Sequence, residues 1–552
     1  MEIKRLFAFA VISLSILFGW NYMFPPAKKP TPDVAQTEAG KPAAQADAAA
    51  QGILTATDPI KVKTDVFDID IDQATGDIRH MTLLKHDATS DASKNLVLLN
   101  DAKDYTYIAQ AALLKKGEAS YLLPEGTKFV ADQKQYDLGN NDKISVRLTA
   151  PEVNGVQVSK IYTFHRDSYA IDVSFDVKNN SGQPVAYDAM YRMLRDGSTP
   201  EGESWFVQSY TGPVVYTSES KYQKVPFKEL DSDAQSGKDT ADYQRKTTDG
   251  WVGIIQHYFV SSWILNRQNQ PSVCGTQADG CNMVVRKRSD GLYEAGVRVN
   301  SPAALAAGQS SVLPMTLYVG PAEYNRITPL ADNFELSKDF GMLHVFASPL
   351  FKLLNWLHGF VGNWGWSIIL LTIIVKAVLF PLTNASYKSM AKMRAVAPRL
   401  NELKAQYGDD RMKMQQEMMA LYKKEKINPL GGCLPMLLQI PVFLGLYWAL
   451  FNSVELRQAP WMGWITDLAR PDPWFVLPII MALTMWFQTT LNPPPTDPMQ
   501  AKMIKIMPLV FSFMFFFFPA GLVLYYVVNN ILSIAQQWYI NKKIENGMKT
   551  KS

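Results

Sequence analysis

The chain has 552 residues, 47% of them hydrophobic, with 55 basic against 51 acidic side chains and a net charge of +4. That length asks for more than one domain. The near balance of charge excludes a general case for nucleic-acid binding, and no nucleic-acid specificity is expected. The average also hides two halves: residues 25–340 are mixed and polar, while long runs dense in Phe, Trp, Met and Leu begin near 345.

In chain order, Lys4 and Arg5 precede a mostly apolar run from Leu6 to Phe24. A cleaved signal peptide would have a shorter core followed by a small-x-small site, and Trp20, Asn21 and Tyr22 stand there instead. Residues 1–24 therefore read as a signal-anchor span rather than a cleaved leader. Residues 25–57 are rich in Pro, Ala, Gln, Asp and Lys and predict a disordered tether. Residues 58–325 predict a periplasmic β-sandwich domain. VFDIDID (66–72) alternates strictly and ends in the turn QATGD. AIDVSFDVKNNSG (170–182) alternates through Ile171, Val173, Phe175 and Val177, and SVLPMTLYVGP (311–321) reads as a last strand. His80, His86, His165 and His257 are scattered and form no catalytic constellation. Cys274 and Cys281 lie seven apart in CGTQADGC. They either close a loop disulfide in an oxidising compartment or remain free thiols, and they are too few for a zinc site.

Residues 338–361 place Leu343, Phe346, Leu350, Leu354 and Leu357 at helical spacing. This predicts an amphipathic helix at a membrane surface, bent near Pro349, or one packed on the β domain. Five further spans are expected in 364–540, near 364–383, 431–451, 473–490, 504–518 and 520–540. Loop charges orient them. Segment 384–430 carries ten Lys or Arg and the tail 541–552 four Lys, whereas 452–472 has only Arg457 and Arg470 against Glu455, Asp467 and Asp472. The basic segments belong inside. The fold class expected is thus a polytopic α-helical membrane protein of about six spans with a large periplasmic β domain and both termini cytoplasmic.

Lys376 sits inside SIILLTIIVKAVLFPLT (367–383), where a charge is costly. Either its long stem snorkels to the headgroups, or it faces a hydrated cavity open to the cytoplasm. Thr372 lies one turn away on the same face. Asn530, Ser533 and Gln537 form a second stripe, and Gln439 and Gln488 add polar groups on other spans. So many polar groups in several spans favour the cavity. The segment 384–430 predicts two helices, the second capped by Asp409 or Asp410. Its Met390, Met393, Met412, Met414, Met418 and Met419 either meet varied apolar partners or hold the hairpin together.

The stretches GNWGWSIILLTIIVKAVLFPLTNASYKSMAKM (362–393), INPLGGCLPMLLQIPVFLGLYWAL (427–450) and FPAGLVLYYVVNNILSIAQQ (518–537) closely resemble the YidC-type membrane protein insertases of Gram-negative bacteria. The order of parts matches over essentially the whole chain. The resemblance implies a periplasmic β-supersandwich and a five-helix insertase core, with a groove open to cytoplasm and lipid. It implies insertion and folding of nascent inner-membrane proteins, alone or beside the Sec translocon, with no cofactor and no enzymatic step. It places Lys376 at the groove cation, usually Arg in bacterial members, so any bidentate grip is lost here. Thr372 and Tyr526 fall at groove positions, and Tyr525, Ile440, Pro441 and Phe443 on the substrate-contacting face. The basic hairpin and tail resemble regions that meet substrate, targeting factors or ribosome. A solute transporter would need a repeat of spans with a midplane site, and an intramembrane protease a nucleophile with its base or paired aspartates. Neither pattern is present. A β-domain receptor with a passive anchor would need only one span.

Overall fold

The computed structural model describes residues 59–89, 91, 93–200, 209–268, 270–275, 280–301, 303–407, 410–425, 434–491, 506–507 and 512–549. The expected anchor 1–24, the whole of the tether 25–57, and residues 504–505 and 508–511 of the expected span 504–518 lie outside them, as does Asp409. The chain divides into two compact units. One holds most of the residues up to Val319. The other holds Gly320–Ser552 with Glu203–Tyr210 and Gln256–Val260.

The first unit is built from a ten-stranded and a nine-stranded sheet, mostly antiparallel, with Ile60–Lys63 running parallel to Gln135–Asp137. Alternation in the sequence sets the inward faces. In Ala170–Asn179 the residues Ile171, Val173, Phe175 and Val177 are all buried. Val173 is registered against Tyr162 on one side and Met315 on the other. The two sheets meet through aromatic rings: Phe175 and Tyr191 are 6.0 Å apart, and Tyr191 and Trp263 are 5.1 Å apart. Such interior rings carry much of the favourable burial, at about 25 cal/mol per Å² of apolar surface. VFDIDID contains the strand Phe67–Ile71, and the last strand is Ser310–Pro321. The scattered histidines have local partners, as in His165 Nε2 at 2.8 Å from Asp172 and His80 Nδ1 at 3.1 Å from Asn100. The Cys274 and Cys281 sulfurs are joined, with Cα atoms 5.1 Å apart. A helix, α1 (Phe227–Ser236), ends at Gly237 in the left-handed region, where a side chain would be strained.

The second unit is helical: α2 (His344–Val361), α3 (Trp364–Val378), α4 (Phe380–Tyr407), α5 (Arg411–Lys424), α6 (Leu434–Phe451), α7 (Val476–Leu491) and α8 (Ala520–Lys549). Three sequence expectations need correction. The span expected over 364–383 is two helices bent by 58° at Leu379. Pro381 explains the break: it has no N–H to continue α3, yet is tolerated in the first turn of α4. Among the described residues no single helix is long and apolar enough to cross a membrane, although this bent pair passes by length and composition. The polar residues of α8, from Asn529 to Gln537, dilute its apolar character, and the helix runs on through the expected tail to Lys549.

The third correction concerns α2. It buries Ala347, Phe351, Leu354 and Leu357 against the helical unit and leaves Phe346, Trp356 and Phe360 exposed, so its buried stripe is rotated from the one expected. In the hairpin α4–α5, Asp410 caps α5 through Lys413 N at 3.1 Å. Met393 and Met418 pack with Val396 and Leu400, whereas Met412 and Met419 are exposed. Met393 and Met418 thus help hold the hairpin together.

Candidate functional site

One end of the helical unit is tied shut. Asn363 caps α3 by accepting from Trp366 N, and its own amide reaches the carbonyls of Pro460 and Trp461, both at 3.1 Å. Gly365 is required beneath Trp461, since a Cβ there would lie 2.2 Å from the indole. Asp472, fully buried, accepts from Trp464 Nε1, Trp474 N and Leu477 N at 2.7–3.0 Å and so starts α7. Ala520 N and Gly521 N bond to Arg470 and Leu468 carbonyls, which starts α8. On the same side, buried Lys338 pairs with Glu455, whose other oxygen takes Tyr324 N at 2.9 Å.

Helices α3, α7 and α8 therefore leave one level together and run the same way. At 1.5 Å per residue, Lys376, Ser533 and Leu491 lie about 18–22 Å beyond it. The first turns between are apolar, packed from Ile368, Leu371, Leu477, Met481, Leu522 and Val523. The far turns are not. Lys376 Nζ donates to Ser533 Oγ at 2.7 Å, and that hydroxyl donates to Asn529 O at 2.7 Å. Tyr387 of α4 reaches the same serine. Asn530 Nδ2 lies 3.4 Å from Thr484 Oγ1 of α7, and Gln537 Nε2 donates to Leu491 O at 3.2 Å. Lys376 is 7% exposed, and among the described residues it has no carboxylate partner. A neutral hydroxyl orients the ammonium but leaves its charge uncompensated.

Of the polar residues singled out from sequence, Lys376 and Ser533 are in contact, and Asn530 lies one turn before Ser533 with its amide toward Thr484. Thr372 is buried on the same face, but its hydroxyl donates back to Ile368 O at 2.7 Å. Gln488 is half-buried on α7 and takes no part in these bonds. Gln439 lies on α6 with its side chain outside the described residues. On the flank of α6, Ile440 is 45% exposed, Pro441 sits within the helix, and the Phe443 ring is 4.7 Å from Tyr526. Tyr525, expected on a contacting face, is only 2% exposed because α8 turns it into the apolar cluster. Thr484, Tyr387 and the Asp472 cap were not singled out from sequence. A lone Thr in an apolar run, or an Asp in a loop, carries no signal until its neighbours are known.

Comparison with known proteins covers both units. Residues 59–353 match the family model of the YidC periplasmic domain, and residues 356–547 match that of the 60Kd inner membrane protein. The chain is 57% identical over 545 residues to the membrane protein insertase YidC of Neisseria meningitidis, covering 99% of this chain and 98% of that relative. It is 59% identical, with the same coverage, to that of Neisseria gonorrhoeae. A crystal structure of an active YidC insertase with its first transmembrane domain resolved aligns with 87% of this chain and 94% of its own, at 16% identity and a TM-score of 0.39. With one family model on each unit and close relatives end to end, the chain belongs to the YidC family of membrane protein insertases.

Proposed function

We propose that the chain inserts nascent proteins into the bacterial inner membrane and helps them fold, using the polar far end of α3, α7 and α8 as a hydrated, positively charged groove. The observation that carries this is Lys376: a buried ammonium held by Ser533, without a carboxylate among the described residues, near amides and hydroxyls of α7 and α8. A structural lysine would be expected to have a counter-charge; one that must meet a polar visitor is better left without it. The groove lowers the desolvation cost of moving a short hydrophilic segment part-way into the bilayer. The substrate's apolar helix would then slide along α6 at Ile440, Pro441 and Phe443 and leave into lipid, driven by burial at about 25 cal/mol per Å².

Lipid contact is supported by the exposed Ile373, Val378, Leu483, Trp486 and Phe487. Exposed Lys388, Lys392, Arg399, Lys413, Lys423 and Lys424 on α4 and α5 make that hairpin the surface for a ribosome. The Sec translocon would be a lateral partner for part of the work. The finer arrangement we propose is six spans, the β domain in the periplasm and both termini in the cytoplasm. It rests on the loop charges.

The test is photocrosslinking. A probe at Ile440, then at Phe443, is presented to ribosomes stalled on a single-span membrane protein. Adducts to the nascent span are expected at both positions. Adducts at neither, in a folded and inserted protein, would overturn the groove and slide.

A further inference from the structure

The turn QATGD, read in the sequence only as a hairpin turn, does more in the fold. Asp72 Oδ1 accepts from Ala74 N at 3.1 Å, and Gly76 N donates to Asp72 O at 2.8 Å. Gly76 has φ +66° and lies close under Phe129 and the stem of Lys160. This tight turn drives Asp77 inward, where Lys160 Nζ donates to its Oδ1 at 2.6 Å and Ala111 N donates to the same oxygen at 3.2 Å. Among the described residues, Asp77 Oδ2 accepts nothing.

Beside it, Gln110 is fixed by Arg192, whose Nε donates to Gln110 Oε1 at 2.9 Å. Arg192 is itself held by Glu294 at 3.2 Å. With its oxygen taken, the Gln110 amide nitrogen has no protein acceptor among the described residues. Asp77 and Gln110 are each 4% exposed, and both line one cavity of about 350 Å³. Its other walls are mostly apolar, with Leu113, Leu123, Phe129, Phe175 and Met190, and Thr75, Tyr121, Thr127 and the exposed Glu125 lie toward the mouth. The segment 121–129 forms one side. It is pinned by Leu122 N to Leu113 O and by Phe129 N to Gln73 O, with a turn from Pro124 to Thr127 between.

We propose that this cavity in the β domain is a binding site for a small uncharged molecule with an apolar body and one donor-plus-acceptor head, an amide or a hydroxyl. The head's N–H or O–H meets Asp77 Oδ2, and its oxygen meets the Gln110 amide. The volume lies in the range of small-ligand sites, which combine apolar walls with a few placed polar groups. Charge selects the class. Lys160 neutralises Asp77 and Glu294 neutralises Arg192, and the one other lining carboxylate, Glu125, is exposed to solvent, so the buried floor has no net charge to repay the desolvation of an ion. The site lies within the first unit and does not depend on the groove reading.

The experiment uses the full chain in detergent and saturation-transfer NMR titrations with N-acetyl-phenylalaninamide and 3-phenylpropanol, one for each head. Anionic N-acetyl-phenylalanine and cationic phenylalaninamide serve as charge controls. At least one neutral probe should bind saturably, and at least about tenfold more tightly than either ion. Ala112→Phe fills the cavity, because Ala112 shares a strand face with Gln110; it should weaken binding at least tenfold. Ala74→Phe, on the exposed turn at the rim, repeats the block if the first variant does not fold. Failure of both neutral probes, equal binding of the ions, or unchanged binding in a folded blocking variant would overturn the site.

Discussion

Lys160 of the β domain and Lys376 of the helical unit are both buried but treated in opposite ways, and Lys338, also of the helical unit, follows Lys160 in having a carboxylate, Glu455. In the β domain, Lys160 is sealed from solvent and given Asp77, the Ala111 carbonyl at 2.8 Å and the rings of Tyr162 and Phe175 within 6 Å. In the helical unit, Lys376 keeps a small window and receives one serine hydroxyl. Burying a charge is tolerated by folding alone only when a partner compensates it. The first lysine meets that requirement, so its charge belongs to the architecture. The second has no such partner among the described residues, which is the condition the proposed groove would require.

Breaking the pair in the β domain should have the largest effect on stability. Lys160→Met leaves Asp77 buried and unpaired, which costs about 3–5 kcal/mol. Thermal unfolding of the full chain, followed by tryptophan fluorescence, should show the β-domain transition lowered well outside error. The double variant Lys160→Met/Asp77→Leu should recover most of it. A single variant as stable as the parent would remove the distinction between the lysines.

Lys376 should behave the other way, with little change in unfolding and a large change in work done. In a complementation assay or reconstituted insertion, Lys376→Arg should retain activity. Lys376→Ala should lose about tenfold, and Lys376→Glu should be worse still, because reversal adds repulsion to the loss of attraction. Equal loss in the Ala and Glu variants would mean that the sign of the charge at this position is unimportant.

A third, half-buried group sharpens the comparison because its surroundings disfavour a charge. His257 stacks on Phe451 at 4.7 Å, and its Nε2 lies 3.2 Å from the Phe451 carbonyl. Burial pulls its pKa down from 6.5 to about 4. The unfolded chain therefore binds this proton first as pH falls, so stability is full above about 6.5 and is lost progressively toward pH 4. Allowing for residual water contact, the loss between pH 7 and 5 should be about 1–2 kcal/mol. His257→Gln should flatten that part of the pH profile of thermal unfolding; an unchanged slope would assign the acid sensitivity to other groups.

These contrasts also show what the sequence could reveal. The sandwich was legible because Ile171, Val173, Phe175 and Val177 repeat with the period of a strand, and the register follows from which face is buried. Lys376 was legible because a charge in an apolar run is rare. Its contact with Ser533 was not, since the two lie on helices 157 residues apart and each shows only its own stripe. Lys160 was invisible for the opposite reason: a lysine on a strand ordinarily reads as solvated, and only the fold brings Asp77 to it. The bend at Leu379 could have been anticipated from Pro381, but hydropathy averages across it.

The smallest effect expected is at Ser533, and it bears most directly on how the proposed groove would hold its charge. The serine supplies an acceptor to Lys376 while donating its own proton to Asn529 O, so it fixes the ammonium without neutralising it. Ser533→Ala removes that acceptor. The ammonium is then free to turn to water, so the net loss should be about 0.5–1.5 kcal/mol, the usual worth of such a bond. Insertion should fall only about two- to tenfold. Ser533→Thr keeps the hydroxyl and should restore it, whereas a packing role would be disturbed by the added methyl. The same logic predicts that Ser533→Asp would be more harmful than Ser533→Ala despite offering a stronger acceptor. A carboxylate there would give Lys376 the kind of partner that Lys160 has, converting an available charge into a structural one.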